Sequence, residues 1–252
     1  MIFWRTSLSI LFGLNIREFT NLAYRIYFHP IQKMFSDVLK HNFWALSNIN
    51  KIIYIVFIRA FKSKKDRLFF EGSFFLPGQM YKAERECLYE IIRDAKPDYC
   101  FEIGTYTGGG STYFISEALK DNNKGRLFTI ENNQFLYKKA INRYKKYIKN
   151  NYHFVDFIFS SSPTVFEKYL KEKDKKIMIF LDGAEESNQT LEQYNFFLPY
   201  LRDGTIMALH DWNTEKTIKV RPIINQDKHW VKIIELEKPE SVGFAIFKYN
   251  KR

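Results

Sequence analysis

The 252-residue chain predicts an α/β fold: a doubly wound, mostly parallel seven-stranded sheet, ending in an antiparallel hairpin and preceded by an N-terminal helical extension. Three observations predict it. From about residue 83 to residue 210, short apolar runs of strand length alternate with stretches of helical spacing, as in a parallel sheet covered on both faces. The last two strand-like runs, HWVKIIELE and VGFAIFKYN, are separated only by KPES, too short for a crossover helix, so one of them runs antiparallel. The stretch YCFEIGTYTGGGSTYFISEALK reads strand, glycine loop, helix, with four of the chain's 11 glycines inside seven residues.

The first elements stand outside that rhythm. After a break at Pro30, Ile31, Met34, Phe35, Val38, Leu39 and Phe43 share one helical face, and a second helical piece runs through residues 52–61. KSKKDR (62–67) reads as a polar junction and LPGQ (76–79) as a turn. A helix at 83–95 turns Leu88, Ile91 and Ile92 inward and stops before Pro97. Strands follow at Tyr99–Ile103, Arg126–Glu131, 153–160, 177–182 and 205–210, with helices at about 111–120, 134–149, 163–173 and 188–201 between them. Residues 1–75 are thus a basic, aromatic helical extension, and residues 76–252 the sheet domain.

A composition of 46% hydrophobic and 27% charged residues is that of a globular chain. Two cysteines, Cys87 and Cys100, make no disulfide framework and suit a reducing compartment. The net charge of +11 is uneven: residues 1–70 hold 11 Lys and Arg against 3 Asp and Glu, which is +8 of the total. No apolar run approaches the roughly 20 residues of a membrane span. No small-residue cleavage site follows the short run LSILFGL, so a cytoplasmic protein is expected. The arm either packs on its own domain or on a second subunit, giving a homodimer, or attaches peripherally to an anionic membrane. Packing is the favoured reading, and nucleic acid is the least favoured partner.

Three kinds of ligand use a glycine loop after a first strand. A dinucleotide fold wants G-x-G-x-x-G, but Gly104 is followed by three other residues before Gly108. A phosphate-cradling loop wants a lysine where Gly110 stands, and Glu102 repels phosphate. The third, S-adenosylmethionine, carries an ammonium, a carboxylate and a sulfonium instead. Glu102 suits its positive end, and the free N–H groups of the next helix, with Ser111, suit its carboxylate. Glu131, 27 residues after Gly104, stands where two ribose hydroxyls want a bidentate acceptor.

FEIGTYTGGGST resembles the first motif of class I S-adenosylmethionine-dependent methyltransferases, above all the catechol and caffeoyl-CoA O-methyltransferase branch. It is also similar to related small-molecule methyltransferases that read D-G-x-H after strand four and H-D after strand five. The resemblance covers about residues 79–250, final hairpin included, and implies a Rossmann-like methyltransferase domain with S-adenosylmethionine as cofactor.

IFLDGAEES ends strand four at Asp182, and MALHDWN ends strand five at His210 and Asp211. Strand ends at one edge of a parallel sheet are neighbours, so two carboxylates and an imidazole converge there and can hold magnesium or another divalent cation. The resemblance implies Asp182 and Asp211 as the metal aspartates. His210 is the candidate general base, because its ordinary pKa lies near neutrality. Two positions depart from the family pattern: Trp212 stands where Asn is expected, with Asn213 one further, and Glu185 stands where a His is expected. Glu185 is either a ligand or base, or an acid at a helix start. Ser160 or Ser161 is the candidate for the adenine edge, while Ser162 before Pro163 reads as a helix cap. Phe135 or Tyr106 covers the adenine or the methionine chain, and His153 is structural.

The catalytic candidates are therefore His210, Asp182 and Glu185. The cofactor candidates are Glu102, Gly104, Gly108, Ser111, Glu131, Ser160, Ser161 and Asp182. The expected activity is methyl transfer to a hydroxyl of a small molecule such as a sugar or glycolipid. A non-catalytic scaffold keeping the fold is the alternative. LDGA after strand four lacks the amide and aromatic that hold a nucleobase, so a nucleic-acid methyltransferase ranks last.

Overall fold

A computed structural model describes residues 80–238 and 241–251. The expectations for the extension (residues 1–75), its helical faces and its junction lie outside the described residues, as does the turn at 76–79.

Helix α1 (Lys82–Ala95) opens with the Glu84 carboxylate accepting the Tyr81 N–H at 2.7 Å. It ends at Lys96 in the left-handed region (φ 49°), just before Pro97. Strand β1 (Tyr99–Ile103) leads through the glycine loop into α2 (Gly110–Asn122). Then come β2 (Arg126–Glu131), α3 (Gln134–Tyr147), the single turn α4 (Lys149–Tyr152), β3 (Val155–Phe159) and the turn α5 (Glu167–Leu170). The chain continues through β4 (Ile177–Leu181), α6 (Ser187–Phe197), β5 (Ile206–His210), α7 (Val220–Gln226), β6 (Trp230–Leu236) and β7 (Phe244–Tyr249).

Several boundaries differ from expectation for local reasons. The strand expected at 153–160 is only Val155–Phe159, and His153 instead caps α4. Asn151 pins that turn to α2 through Ser116 Oγ (3.1 Å) and Glu117 Oε2 (2.8 Å), so the chain enters the sheet later. The helix expected at 163–173 splits into a 3₁₀ turn, Pro163–Phe166, and α5. Pro199 has no N–H to extend α6, and the expected 188–201 helix finishes in a 3₁₀ turn at Leu198–Tyr200. Helix α7 went unanticipated; Pro222 hides it in the sequence, yet proline is tolerated in a first turn whose N–H groups lack intrahelical partners.

The strand order is β3-β2-β1-β4-β5-β7-β6, seven strands as expected. β1 to β5 pair in parallel, and β7 pairs antiparallel with both β5 and β6. Side chains alternate across the pleat, so each strand feeds two cores. Ile177, Ile179 and Leu181 of β4 join Phe101, Phe166, Phe197 and Trp230 on one face. Met178 and Phe180 join Leu88, Ile92, Ile115, Leu119 and Tyr144 on the other, under α1, α2 and α3. Burial on both faces explains the near-continuous apolar strands. Among the described residues, no helix is long and apolar enough to cross a membrane.

Candidate active site

Ile103 pairs in register with Ile130 and with Leu181, and Leu181 with Leu209. The next residues, Gly104, Glu131, Asp182 and His210, therefore form one row across the carboxyl ends of four strands. From β1 the chain order runs outward in both directions, and such a switch point is where open α/β sheets bind ligands. The two loops over it touch: a Cβ on Gly104 (φ 103°) would lie 2.9 Å from the Gly183 backbone. Only glycine fits there without strain.

Glu131 is nearly buried, and both of its oxygens are held. Oε2 accepts the Tyr106 N–H (2.7 Å) and Oε1 the Asn133 N–H (2.9 Å). Each oxygen keeps a lone pair, so the carboxylate stands fixed and still able to accept from two vicinal hydroxyls. Asn133 in turn caps α3, taking the N–H groups of Phe135 and Leu136. Phe135 is 71% exposed and Tyr106 44%, two exposed aromatic side chains on the elements flanking Glu131, with Lys139 Nζ 5.7 Å from the centre of the Phe135 ring.

Glu102 is fully buried. Its Oε2 accepts from the hydroxyls of Thr112 (2.7 Å) and Thr129 (2.6 Å), while its Oε1 has no hydrogen-bond partner. Burial pushes its pKa up to about 7, against the pull of the Ser111, Thr129 and Thr112 hydroxyls. A buried carboxylate oxygen without a donor is costly, which fits a site that receives one from a ligand. Ser111 is buried in the first turn of α2. The backbone at Gly108 (φ 76°) is left-handed and packed against Tyr144, with 2.9 Å from a built Cβ to Cε2.

At the end of β3, Ser160 Oγ donates to the Ser162 carbonyl (3.0 Å) and accepts its N–H (3.1 Å). Its hydroxyl is thus engaged in the turn, whereas Ser161 is exposed. Ser162 caps the following turn by accepting the Thr164 N–H, as expected. His153 lies before β3, at the opposite end from this row; its carbonyl, 3.5 Å from Arg126 Nη1, fits a structural role.

The second cluster forms around His210, which is buried between three carboxylates. Nε2 lies 3.1 Å from Glu84 Oε2, while Nδ1 lies 3.2 Å from Asp182 Oδ1 and 3.4 Å from Asp211 Oδ1. Burial alone would lower its pKa, but Asp182, Asp211 and Glu84 outweigh it and push the value up to about 12. Asp211 is lowered to about 2, chiefly by His210 and, against burial, by Lys216, whose Nζ sits 2.6 Å from Oδ2. Burial raises Asp182 despite His210. Nε2 thus faces Glu84 and Nδ1 faces the two aspartates, so an acceptor hydroxyl meets this ring only from between Asp182 and Asp211. Asp211 holds a left-handed φ of 55°, a strain of about 1–2 kcal/mol. The hydroxyls of Thr214 and Thr217 on its carbonyl brace it there.

The cluster fits a divalent cation. Asp182, His210 and Asp211 each turn one ligand atom inward, within 4.8 Å of one another, and His210 Nδ1 is a buried atom without a well-aligned hydrogen bond. Trp212, where the family pattern has Asn, is in the core, its Nε1 donating to Glu235 at 3.0 Å, and is no ligand. Asn213 and Glu185 are exposed. Glu185 precedes α6 by two residues, an acid at a helix start, and its N–H donates to Gln189 Oε1 at 3.0 Å. Two site residues escaped the sequence reading, Glu84 and Lys216. Only the capping spacing ahead of α1 marked the first, and an ordinary surface lysine pattern concealed the second.

Residues 101–212 match a family model described as a methyltransferase domain. No curated protein matches the chain in sequence. Among solved structures, the O-methyltransferase TomG from Streptomyces achromogenes, involved in tomaymycin synthesis and bound to S-adenosylmethionine, is 17% identical. It covers 76% of this chain and 92% of its own, with a TM-score of 0.56. An O-methyltransferase from Bacillus cereus bound to S-adenosylhomocysteine is 16% identical over 81% of this chain and 97% of its own, TM-score 0.56. A candidate caffeoyl-CoA O-methyltransferase from Staphylococcus aureus is 19% identical over 80% of this chain and all of its own (100%), TM-score 0.53. At such identities the likeness is one of fold.

Proposed function

Proceeding from a chain whose residues 101–212 match a methyltransferase domain, we propose that it transfers a methyl group from S-adenosylmethionine to a hydroxyl oxygen of a small molecule, such as a sugar or glycolipid. The observation that carries this reading is the pair of fixed carboxylates on adjacent strands. Glu131 is held by two backbone N–H groups with its remaining lone pairs open, and Glu102 is buried with one oxygen lacking a donor. The bound cofactors and O-methyltransferase names of the structural neighbours support the same donor and the same acceptor atom.

In this reading Glu131 accepts the ribose hydroxyls, and Glu102 faces the ammonium across the loop. The N–H groups opening α2, that of Ser111 among them, take the cofactor carboxylate. Phe135 and Tyr106 cover the adenosine. Asp182 and Asp211 would hold a divalent cation, which when bound would act as a Lewis acid on the acceptor oxygen and lower its pKa. Lys216 keeps Asp211 in place through its second oxygen. The acceptor oxygen forms the new C–O bond as the C–S bond breaks, its electron pair returning to sulfur, and the hydroxyl proton passes to Asp182 or Glu185. Holding the two reactants in line contributes much of the acceleration. The test is transfer of labelled methyl to a panel of hydroxylated acceptors, with and without chelator; absence of S-adenosylhomocysteine binding by calorimetry would refute the reading outright.

A further inference from the structure

Glu84 belongs to α1, outside the row of strand ends, yet it is fully buried against His210. Its Oε2 takes the Tyr81 N–H and faces His210 Nε2, while Oε1 takes the Ser241 hydroxyl, which also receives the Gly243 N–H at 2.7 Å. The carboxylate is thus clamped between the start of α1 and the β6–β7 connection. When a cation between Asp182 and Asp211 displaces the Nδ1 proton, a carboxylate so fixed beside Nε2 keeps the remaining proton there and leaves the Nδ1 lone pair to the ion. Nδ1 is the buried atom of that ring without a well-aligned partner.

We propose that Glu84 is a positioning residue that makes His210 a third ligand through Nδ1, so that the site takes a first-row transition ion such as manganese, cobalt or zinc in preference to magnesium. The inference rests on the cation assigned to this site under the proposed function. A carboxylate behind a ligating histidine fixes its ring orientation and raises its basicity. Imidazole favours the transition ions, whereas magnesium wants oxygen donors and keeps its waters. Charge supports the same occupant: Asp182 and Asp211 stand together at Nδ1, Lys216 pairs with Asp211, and a dication would offset the negative charge that remains.

The experiment titrates cobalt(II), manganese(II), zinc and magnesium into the full-length chain by calorimetry, following visible absorption for cobalt. The transition ions should bind at least about tenfold more tightly than magnesium. Glu84→Gln should weaken cobalt about 10- to 100-fold with S-adenosylhomocysteine affinity unchanged; a merely structural role would lower both. His210→Gln should alter the cobalt spectrum, and it decides the matter if Glu84→Gln does not fold. Equal affinity for magnesium and cobalt, no binding of any of the four ions, or a cobalt spectrum indifferent to His210→Gln overturns the proposal. Because S-adenosylhomocysteine binding is measured separately, failure of the methyltransferase reading shows up on its own.

Discussion

The amide of Tyr106 donates to Glu131 Oε2 at 2.7 Å, which ties the glycine loop of β1 to the end of β2. One carboxylate therefore does two jobs. It orders the loop, and it presents its open lone pairs beside it. Tyr106 tolerates a left-handed φ of 51° in the process, a conformation that persists only where neighbours hold it.

Glu131→Ala should accordingly weaken S-adenosylhomocysteine about ten- to hundredfold, the loss of hydrogen bonds to a charged acceptor worth about 1.5–3 kcal/mol. Calorimetry reads it directly. Glu131→Gln should lose less, since it keeps one carbonyl acceptor, and unchanged affinity in the alanine variant would remove Glu131 from the cofactor site.

Most of this site was legible because its residues sit at strand ends, and strand ends in a parallel sheet are fixed by apolar runs that the sequence shows plainly. Gly104, Glu131, Asp182 and His210 each follow such a run, so their common row follows from register alone. Glu84 was not legible, since its partner lies 126 residues away and a helix-start glutamate is ordinary. His210 illustrates the other limit. Its position was readable, but its protonation is decided by the three carboxylates that surround it in space, which no spacing records.

Gly108→Val should destabilise the fold rather than only block a ligand. The backbone there is left-handed, costing a β-branched residue about 1–2 kcal/mol, and its Cβ would press on the buried Tyr144 ring at 2.9 Å. Overpacking of that kind adds about 1–3 kcal/mol. A thermal melt without ligand should show a clearly lowered midpoint. Unchanged stability with lost cofactor binding would instead mean that the loop's contact is with the ligand alone.

Chelator should suppress methyl transfer, and a divalent ion should restore it. Asp182→Asn and Asp211→Asn should each weaken the ion while leaving S-adenosylhomocysteine affinity largely intact, because Glu102 and Glu131 lie on other strands. Transfer indifferent to chelator would leave Asp182 or Glu185 to take the proton unaided.

Glu102 predicts how both stability and binding follow pH. Its folded pKa, pushed up to about 7 by burial, exceeds the ordinary value of 4.5 that it regains on unfolding. Between these values the folded state binds more protons than the unfolded one, so stability falls as pH rises from about 4.5 to 7 and levels off above. The full swing is on the order of 3 kcal/mol for a group wholly removed from solvent. A ligand ammonium beside the carboxylate favours its ionised form, so binding below pH 7 must expel the proton. Calorimetry of S-adenosylhomocysteine at pH 6, in two buffers of different ionisation enthalpy, should reveal release of most of one proton, and at pH 8 almost none. Glu102→Gln should abolish the release and flatten the stability profile between pH 5 and 7. Wild-type binding at pH 6 without proton release would mean that Glu102 is already ionised or does not meet the ammonium.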